Sequence, residues 1–210
     1  MAVTASPSPS RSRADLDAST PERILDAAEA LVAERGIDAV SLRAVNQAAA
    51  ANVAAAHYHF GSKDAVVEAV LQRRMRVLSE RRAELVAALA ADPAPSPRAV
   101  VAALVAPLAE FADHDPAGLV YVRFLAALSR SDSSRPSVAR AFAPQYSPFL
   151  EQLERALPSV PRDLLEFRLA LAGRSIIECL AELGADHAHA DALIDYVTGA
   201  LAAPVHGGTR

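Results

Sequence analysis

The stretch Asn52-Val-Ala-Ala-Ala-His-Tyr-His-Phe-Gly-Ser-Lys-Asp64 constrains the fold more than any other part of the chain. It predicts a helix from Val53 to about His59, capped by Asn52, then a turn at Gly61 and a new helix opened by Ser62. A helix that short is unstable alone in water, so its neighbours must hold it. Two helix signals lie just upstream. Thr20 is placed to cap and Pro21 to open a first helix, whose apolar face is Ile24, Leu25, Ala28, Leu31 and Val32 and which Gly36 ends. Ser41 then caps a second, short helix with Leu42, Val45 and Ala49 facing inward. Phe60 is the natural core anchor of the third. Three helices, the last short and exposed, give the layout of a helix-turn-helix that reads double-stranded DNA.

Beyond that block the pattern stays helical. The helix opened by Ser62 carries a long apolar stripe from Val66 and Val67 through Val70, Leu71, Leu78 and Leu85 to Leu89. It stops at the breaker cluster Asp92-Pro93-Ala-Pro95-Ser-Pro97. Further helices are expected over 98–113, 117–130, 136–156 (bent near Pro144 and Pro148), 162–183 and 187–203. Hydrophobic residues make up 52% of the chain, much of it alanine, with 5% aromatics and no tryptophan, which favours helix over sheet. The expected fold is all-α. Residues 1–19, rich in Ser, Pro and Ala, are too polar to build a core and are expected to be disordered. The single cysteine, Cys179, rules out an intramolecular disulfide framework. The longest apolar run, Ala99 to Ala109, is too short to span a bilayer and contains Pro107. A soluble, cytoplasmic protein without a membrane partner is expected.

The net charge of −4 is unevenly spread. Residues 20–82 net +1 and residues 83–210 net −5, so the N-terminal block permits a phosphate-facing surface that the total conceals. The Arg73-Arg74-x-Arg76 and Arg81-Arg82 clusters read as solvated helix faces.

The block resembles the tetracycline-repressor (TetR) family of bacterial transcription regulators. The resemblance is carried by Thr20-Pro-Glu-Arg-Ile-Leu-Asp-Ala-Ala-Glu-Ala-Leu-Val-Ala-Glu-Arg-Gly36, Ser41-Leu-Arg-Ala-Val45 and Asn52 through Asp64, and covers about residues 20–70. It implies a disordered tail (1–19), a three-helix DNA-binding domain (20–66), and a long fourth helix leading into a helical ligand-binding and dimerisation domain (67–204). By position, Arg43 falls where the second helix contacts DNA, Val53, Ala54 and Ala55 where the reading helix meets base edges, and His57 and Tyr58 where side chains reach bases or phosphates. Lys63 falls at a backbone phosphate contact. The caps Ser41 and Asn52 belong to the same contact set. One departure stands out: Ala49-Ala50-Ala51 replaces the usual Ala-Gly-Val, and a left-handed turn residue disfavours a side chain. The reading helix is also poor in Arg, Gln and Asn. Specificity would then rest on thymine methyl contacts, Arg43, His57, Tyr58 and DNA shape, and a modest specificity ratio is expected.

For the second half the resemblance implies a small-molecule effector and a homodimer. The aromatics concentrate between residues 111 and 149, and the candidate ligand-binding residues are Phe111, Tyr121, Arg123, Phe124, Leu128, Phe142, Tyr146 and Phe149. The same side chains could equally form the core. Arg123, with apolar neighbours on both sides, needs an anion: Glu110, Glu178, or the carboxylate or phosphate of an effector. The second half also resembles regulators that sense acyl chains or other apolar acids, which implies an effector of that class. The last two helices carry Leu164, Leu165, Phe167, Leu171, Ile176, Leu180, Leu193, Ile194, Val197 and Leu201, suited to an isologous four-helix interface. In Asp186-His-Ala-His-Ala-Asp191, His187 and Asp191 share a helix face but no third ligand is evident, so no metal site is expected. No Ser-His-Asp order, Gly-rich phosphate loop or His-Glu-x-x-His pattern occurs, and neither an enzyme nor a cofactor is expected. The reading is a repressor released from a near-palindromic operator by its effector. The alternative is an activator, or a ligand-binding regulator of weak DNA affinity.

Overall fold

The computed structural model describes residues 19–183 and 187–205. Among them are nine α-helices and no strand: α1 (Thr20–Arg35), α2 (Leu42–Ala48), α3 (Ala55–Phe60), α4 (Lys63–Ala91), α5 (Pro97–His114), α6 (Pro116–Arg130), α7 (Arg135–Ala156), α8 (Arg162–Leu183) and α9 (His187–Leu201). The all-α architecture and the order of elements follow the hydrophobic periodicity. Residues 1–18 of the expected disordered tail lie outside the described residues.

Local chemistry sets most boundaries. The caps of α4, α5 and α6 are Ser62, Ser96 and Asp115, whose side chains accept hydrogen bonds from the amides of Ala65, Ala99 and Ala117. Two expected caps differ. Ser19, not Thr20, caps α1, in a capping box where Glu22 accepts from the Ser19 amide at 2.8 Å. That hydrogen bond also holds the Glu22 carboxyl below its ordinary pKa. The short third helix begins at Ala55, two residues later than expected, because Asn52 Oδ1 accepts from the Ala54 amide and spends itself on an Asx turn. Helix α7 runs through Pro144 and Pro148 as one span. No helix among the described residues is long and apolar enough to cross a membrane.

Helix α6 forms the centre of the body. Tyr121, Val122, Phe124, Leu125 and Leu128 on it are fully buried, and it packs against α1, α5, α7 and α8. Its first turn is set tightly against α5 at Gly118, where a Cβ would come within 2.0 Å of the Phe111 carbonyl oxygen. The contact of α1 with α6 is the most extensive between any two helices. The N-terminal three-helix head is therefore seated on the body and not tethered to it by α4 alone.

Candidate nucleic-acid interface and effector cavity

The head is built around one buried polar side chain. Asn46, on the inward face of α2, donates from Nδ2 to the Val53 carbonyl (2.7 Å) and accepts at Oδ1 from the Ala56 amide (2.9 Å). It thus pins both the entry and the first turn of α3, the short helix that cannot hold itself. Between them lies the turn. The Ala50 amide donates to the Gln47 carbonyl and the Ala51 amide to the Asn46 carbonyl, the two bonds of a Schellman motif. Its left-handed position is Ala50, at φ +48°. The turn keeps the geometry that glycine would favour, and the extra methyl is accommodated as strain. Arg23 Nε donates to the Ala49 carbonyl at 3.3 Å and ties the turn back to α1.

With its inner side fixed, α3 turns the opposite side outward. Val53 is 71% exposed and Tyr58 84% exposed, and Ala54, His57 and His59 are also exposed, while Ala56 is fully buried. Arg43 is exposed on α2 beside it, and Ser41 caps that helix by accepting from the Ala44 amide. Of the residues singled out for DNA contact all are exposed except Ala55 and Lys63, which are half-buried, and two of the set have partners within the head. Asn52 is occupied by its own turn. Lys63 Nζ donates to the carbonyls of Ile37 (3.0 Å) and Val40 (3.2 Å). These oxygens offset the cost of placing a cation at a helix N-terminus. Asn46 and Arg23 escaped the sequence reading. An Asn between Val45 and Gln47 looks like a surface residue, and only the helix crossing makes it the clamp.

Of the arginines of α4 expected on a solvated face, Arg76 and Arg81 are exposed, but Arg73 and Arg74 are partly buried. Glu29 of α1, 1% exposed, accepts from Arg73 Nη2 (2.8 Å) and Arg74 Nη2 (2.9 Å), and Arg73 also reaches Asp26 (2.8 Å). The Arg74 guanidinium lies 5.6 Å from the centroid of the Phe111 ring. Further along, Arg81 pairs with Glu110 of α5 at 2.9 Å, which holds the Glu110 carboxyl below its ordinary pKa. Sequence spacing could not reveal these partners, because they are 29 to 47 residues away. Buried Tyr121 lies in the field of Arg82, Glu29 and Arg74, and burial pushes its hydroxyl pKa up.

A cavity of about 600 Å³ opens between α7 and α8, lined mainly by apolar groups including Val138, Phe142, Tyr146, Leu150, Leu169 and Ile177. A cleft of about 810 Å³ between α4 and α7 is more polar, with Asp64, Glu68, Arg76 and Arg140 on its walls. Of the candidate ligand residues, Phe142 and Tyr146 line the first cavity and Phe149 a small void behind it. Tyr121, Phe124 and Leu128 are fully buried core, and Phe111 packs under Arg74. Arg123 is displaced from the expected role. It is exposed on α6 and Nε donates to the Ala181 carbonyl at 3.4 Å, while Glu110 and Glu178 pair with Arg81 and Arg130. Alternation of apolar neighbours misled because the outward side of α6 at residue 123 faces solvent. Asp186 and the His187 side chain lie outside the described residues, and Asp191 pairs with Arg98 at 3.0 Å.

Residues 24–70 match the family model of bacterial regulatory proteins of the tetR family, and residues 102–203 match that of the tetracyclin repressor-like C-terminal domain. Among solved structures, the chain is similar to a TetR-family transcriptional regulator from Rhodococcus sp. (16% identity, TM-score 0.64, covering 88% of this chain and 97% of that one). It is also similar to SmeT, the repressor of the Stenotrophomonas maltophilia multidrug efflux pump SmeDEF (20% identity, TM-score 0.57, 89% and 91% covered). A third is Mycobacterium smegmatis AmtR (18% identity, TM-score 0.57, 90% and 89% covered). At these identities the likeness is one of fold. No curated protein matches the chain.

Proposed function

Because the chain belongs to the TetR family of bacterial regulatory proteins, we propose that it is a cytoplasmic, homodimeric repressor that a small-molecule effector releases from a near-palindromic operator. The observation that carries this reading is the clamped reading helix. Asn46 and the turn at Ala50 fix the inner side of α3, leaving Val53, His57 and Tyr58 outward with Arg43 beside them. Residues 20–66 would serve as the DNA-binding domain. Residues 67–204 would hold the effector in the cavity between α7 and α8 and form the dimer.

The dimer contact is assigned to α8 and α9. Phe167 and Tyr196, 62% and 64% exposed, and Leu171 leave apolar surface on this pair. A two-fold axis there would set two reading helices about one DNA turn (~34 Å) apart. Release follows if effector-bound and operator-bound forms differ in the spacing of the heads, so that the ligand shifts the population. Helix α4 is placed to transmit that difference. It meets α1 through Arg73 and Arg74 and borders the small void behind the cavity through Arg82.

The test is a footprint of the purified protein on the DNA flanking its own gene, across a salt series. A protected near-palindrome that fades as salt rises from about 50 to 200 mM is the expected result. Absence of any salt-sensitive protection there or on a genomic fragment library would refute the operator reading. The scarcity of Arg, Gln and Asn on the outward side of α3 favours a second reading, a regulator of weak operator affinity. It would give protection with a small preference over unrelated DNA.

A further inference from the structure

Arg82 is a partly buried cation that the internal ion pairs leave out. No carboxylate lies within salt-bridge distance of it among the described residues. Its contacts are one long hydrogen bond to Gln145 Oε1 (3.5 Å) and the face of Phe142, 6.0 Å from the ring centroid. Burial pushes the pKa of its guanidinium down. Other partly buried arginines are matched: Arg73 and Arg74 by Glu29, Arg168 by the carbonyls of Leu201 and Ala203. Desolvating a cation without a counter-ion is costly, and an anion arriving from outside would offset that cost.

The position of Arg82 says where such an anion would come from. It borders a small void of about 20 Å³. Phe142, Tyr146, Gly173 and Ile177 wall both that void and the 600 Å³ cavity between α7 and α8. The Tyr146 hydroxyl rests against Gly173, where a Cβ would come within 2.6 Å of it, and no residue described here hydrogen-bonds it. A guanidinium whose one hydrogen bond is long and a phenol thus both border this small void, which shares walls with the apolar cavity.

The geometry points to an amphipathic organic acid as the effector, its hydrocarbon body between α7 and α8 and its carboxylate at Arg82, with the Tyr146 hydroxyl as second donor. This rests on the reading of that cavity as the effector site. Arg174 lines the same cavity, but it is exposed, and an ion pair there gains little. Arg82 is the less exposed of the two, and its charge is already partly desolvated.

Calorimetric titration of the full-length protein at pH 8 with decanoate and with 1-decanol tests the assignment. Decanoate is expected to bind at least ~10-fold more tightly, a margin in keeping with a charge-assisted hydrogen bond. Arg82→Gln should reduce decanoate to the level of decanol, and Arg174→Gln should leave the preference intact. Neither substitution at Arg82 removes an ion pair, so both Arg82→Gln and the apolar Arg82→Met should stay folded, as circular dichroism would report. Equal binding of acid and alcohol, no binding of either, a preference that survives both Arg82 variants, or one that vanishes in Arg174→Gln would each overturn the proposal. Ala143→Phe, which fills the cavity, separates the two levels. If it abolishes binding of acid and alcohol alike but wild type does not prefer the acid, the cavity reading stands and the carboxylate assignment falls. If it affects neither, the cavity reading itself falls.

Discussion

Ala50 holds a left-handed backbone, φ +48°, that costs a residue with a Cβ about 1 kcal/mol relative to glycine. Ala50→Gly should therefore raise the melting temperature by about 2–4 °C in a chain of this length, with the turn unchanged; a fall would mean that the methyl is not strained. Asn46 sets the opposite expectation. Asn46→Ala leaves the part-buried Val53 carbonyl and the buried Ala56 amide without Asn46 as partner and should cost about 2 kcal/mol. It should weaken operator binding further by freeing α3, read as a loss of affinity beyond the fraction unfolded. Arg43 and Lys63 separate contact from support. Arg43 is exposed, so Arg43→Ala should weaken DNA binding and flatten its salt slope while leaving urea denaturation unchanged. Lys63→Ala removes the donor to Ile37 and Val40 and should lower stability as well. Equal stability of the two variants would return Lys63 to a pure phosphate contact.

At the scale of elements, α4 is the shared member. Its first half is bonded to α1 through Glu29, its middle to α5 through Glu110, and Arg82 lies against Phe142 of α7. Removing Glu29 strands the partly buried Arg74 and leaves Arg73 only Asp26, so Glu29→Ala should cost about 3 kcal/mol in urea denaturation. A cost below ~1 kcal/mol would show that water reaches the pair and that the link between head and body is loose. Replacing the whole network by apolar groups is a different experiment, because a buried ion pair often gives little net stability over a packed hydrophobic one. The consequence to measure there is effector response rather than melting temperature. The extensive packing of α1 on α6 means that a shift within the body is felt by the head through two routes, the ion pairs of α4 and the apolar contact.

At the scale of the molecule, α8 and α9 leave Phe167 and Tyr196 in solvent, an arrangement that a second copy would cover. The double substitution Phe167→Glu and Tyr196→Glu should yield monomers in analytical ultracentrifugation and remove protection of a palindromic site, while each chain keeps its helical circular dichroism. A double variant that remains dimeric would place the interface elsewhere. Loss of the dimer should also halve the number of phosphate contacts and with it the salt slope of binding.

The sequence by itself determined the helices and their kind. Apolar periodicity, serine and aspartate caps, and proline and glycine breakers act within a few residues, so the path from the first helix to Leu201 could be read along the chain to within two residues at most ends. The reading helix was legible for the same reason, because Asn52 through Asp64 is a local pattern. What only the tertiary structure decided is which side of each helix meets which partner. Asn46 became a clamp, Arg73 and Arg74 became partly buried ion pairs instead of a solvated face, and Arg81 found Glu110. Arg123 turned outward, and Arg82 became the cation beside the cavity. Each depends on groups brought together from dozens of residues apart, and the crossing of packed helices, not the spacing of residues along one of them, sets those distances.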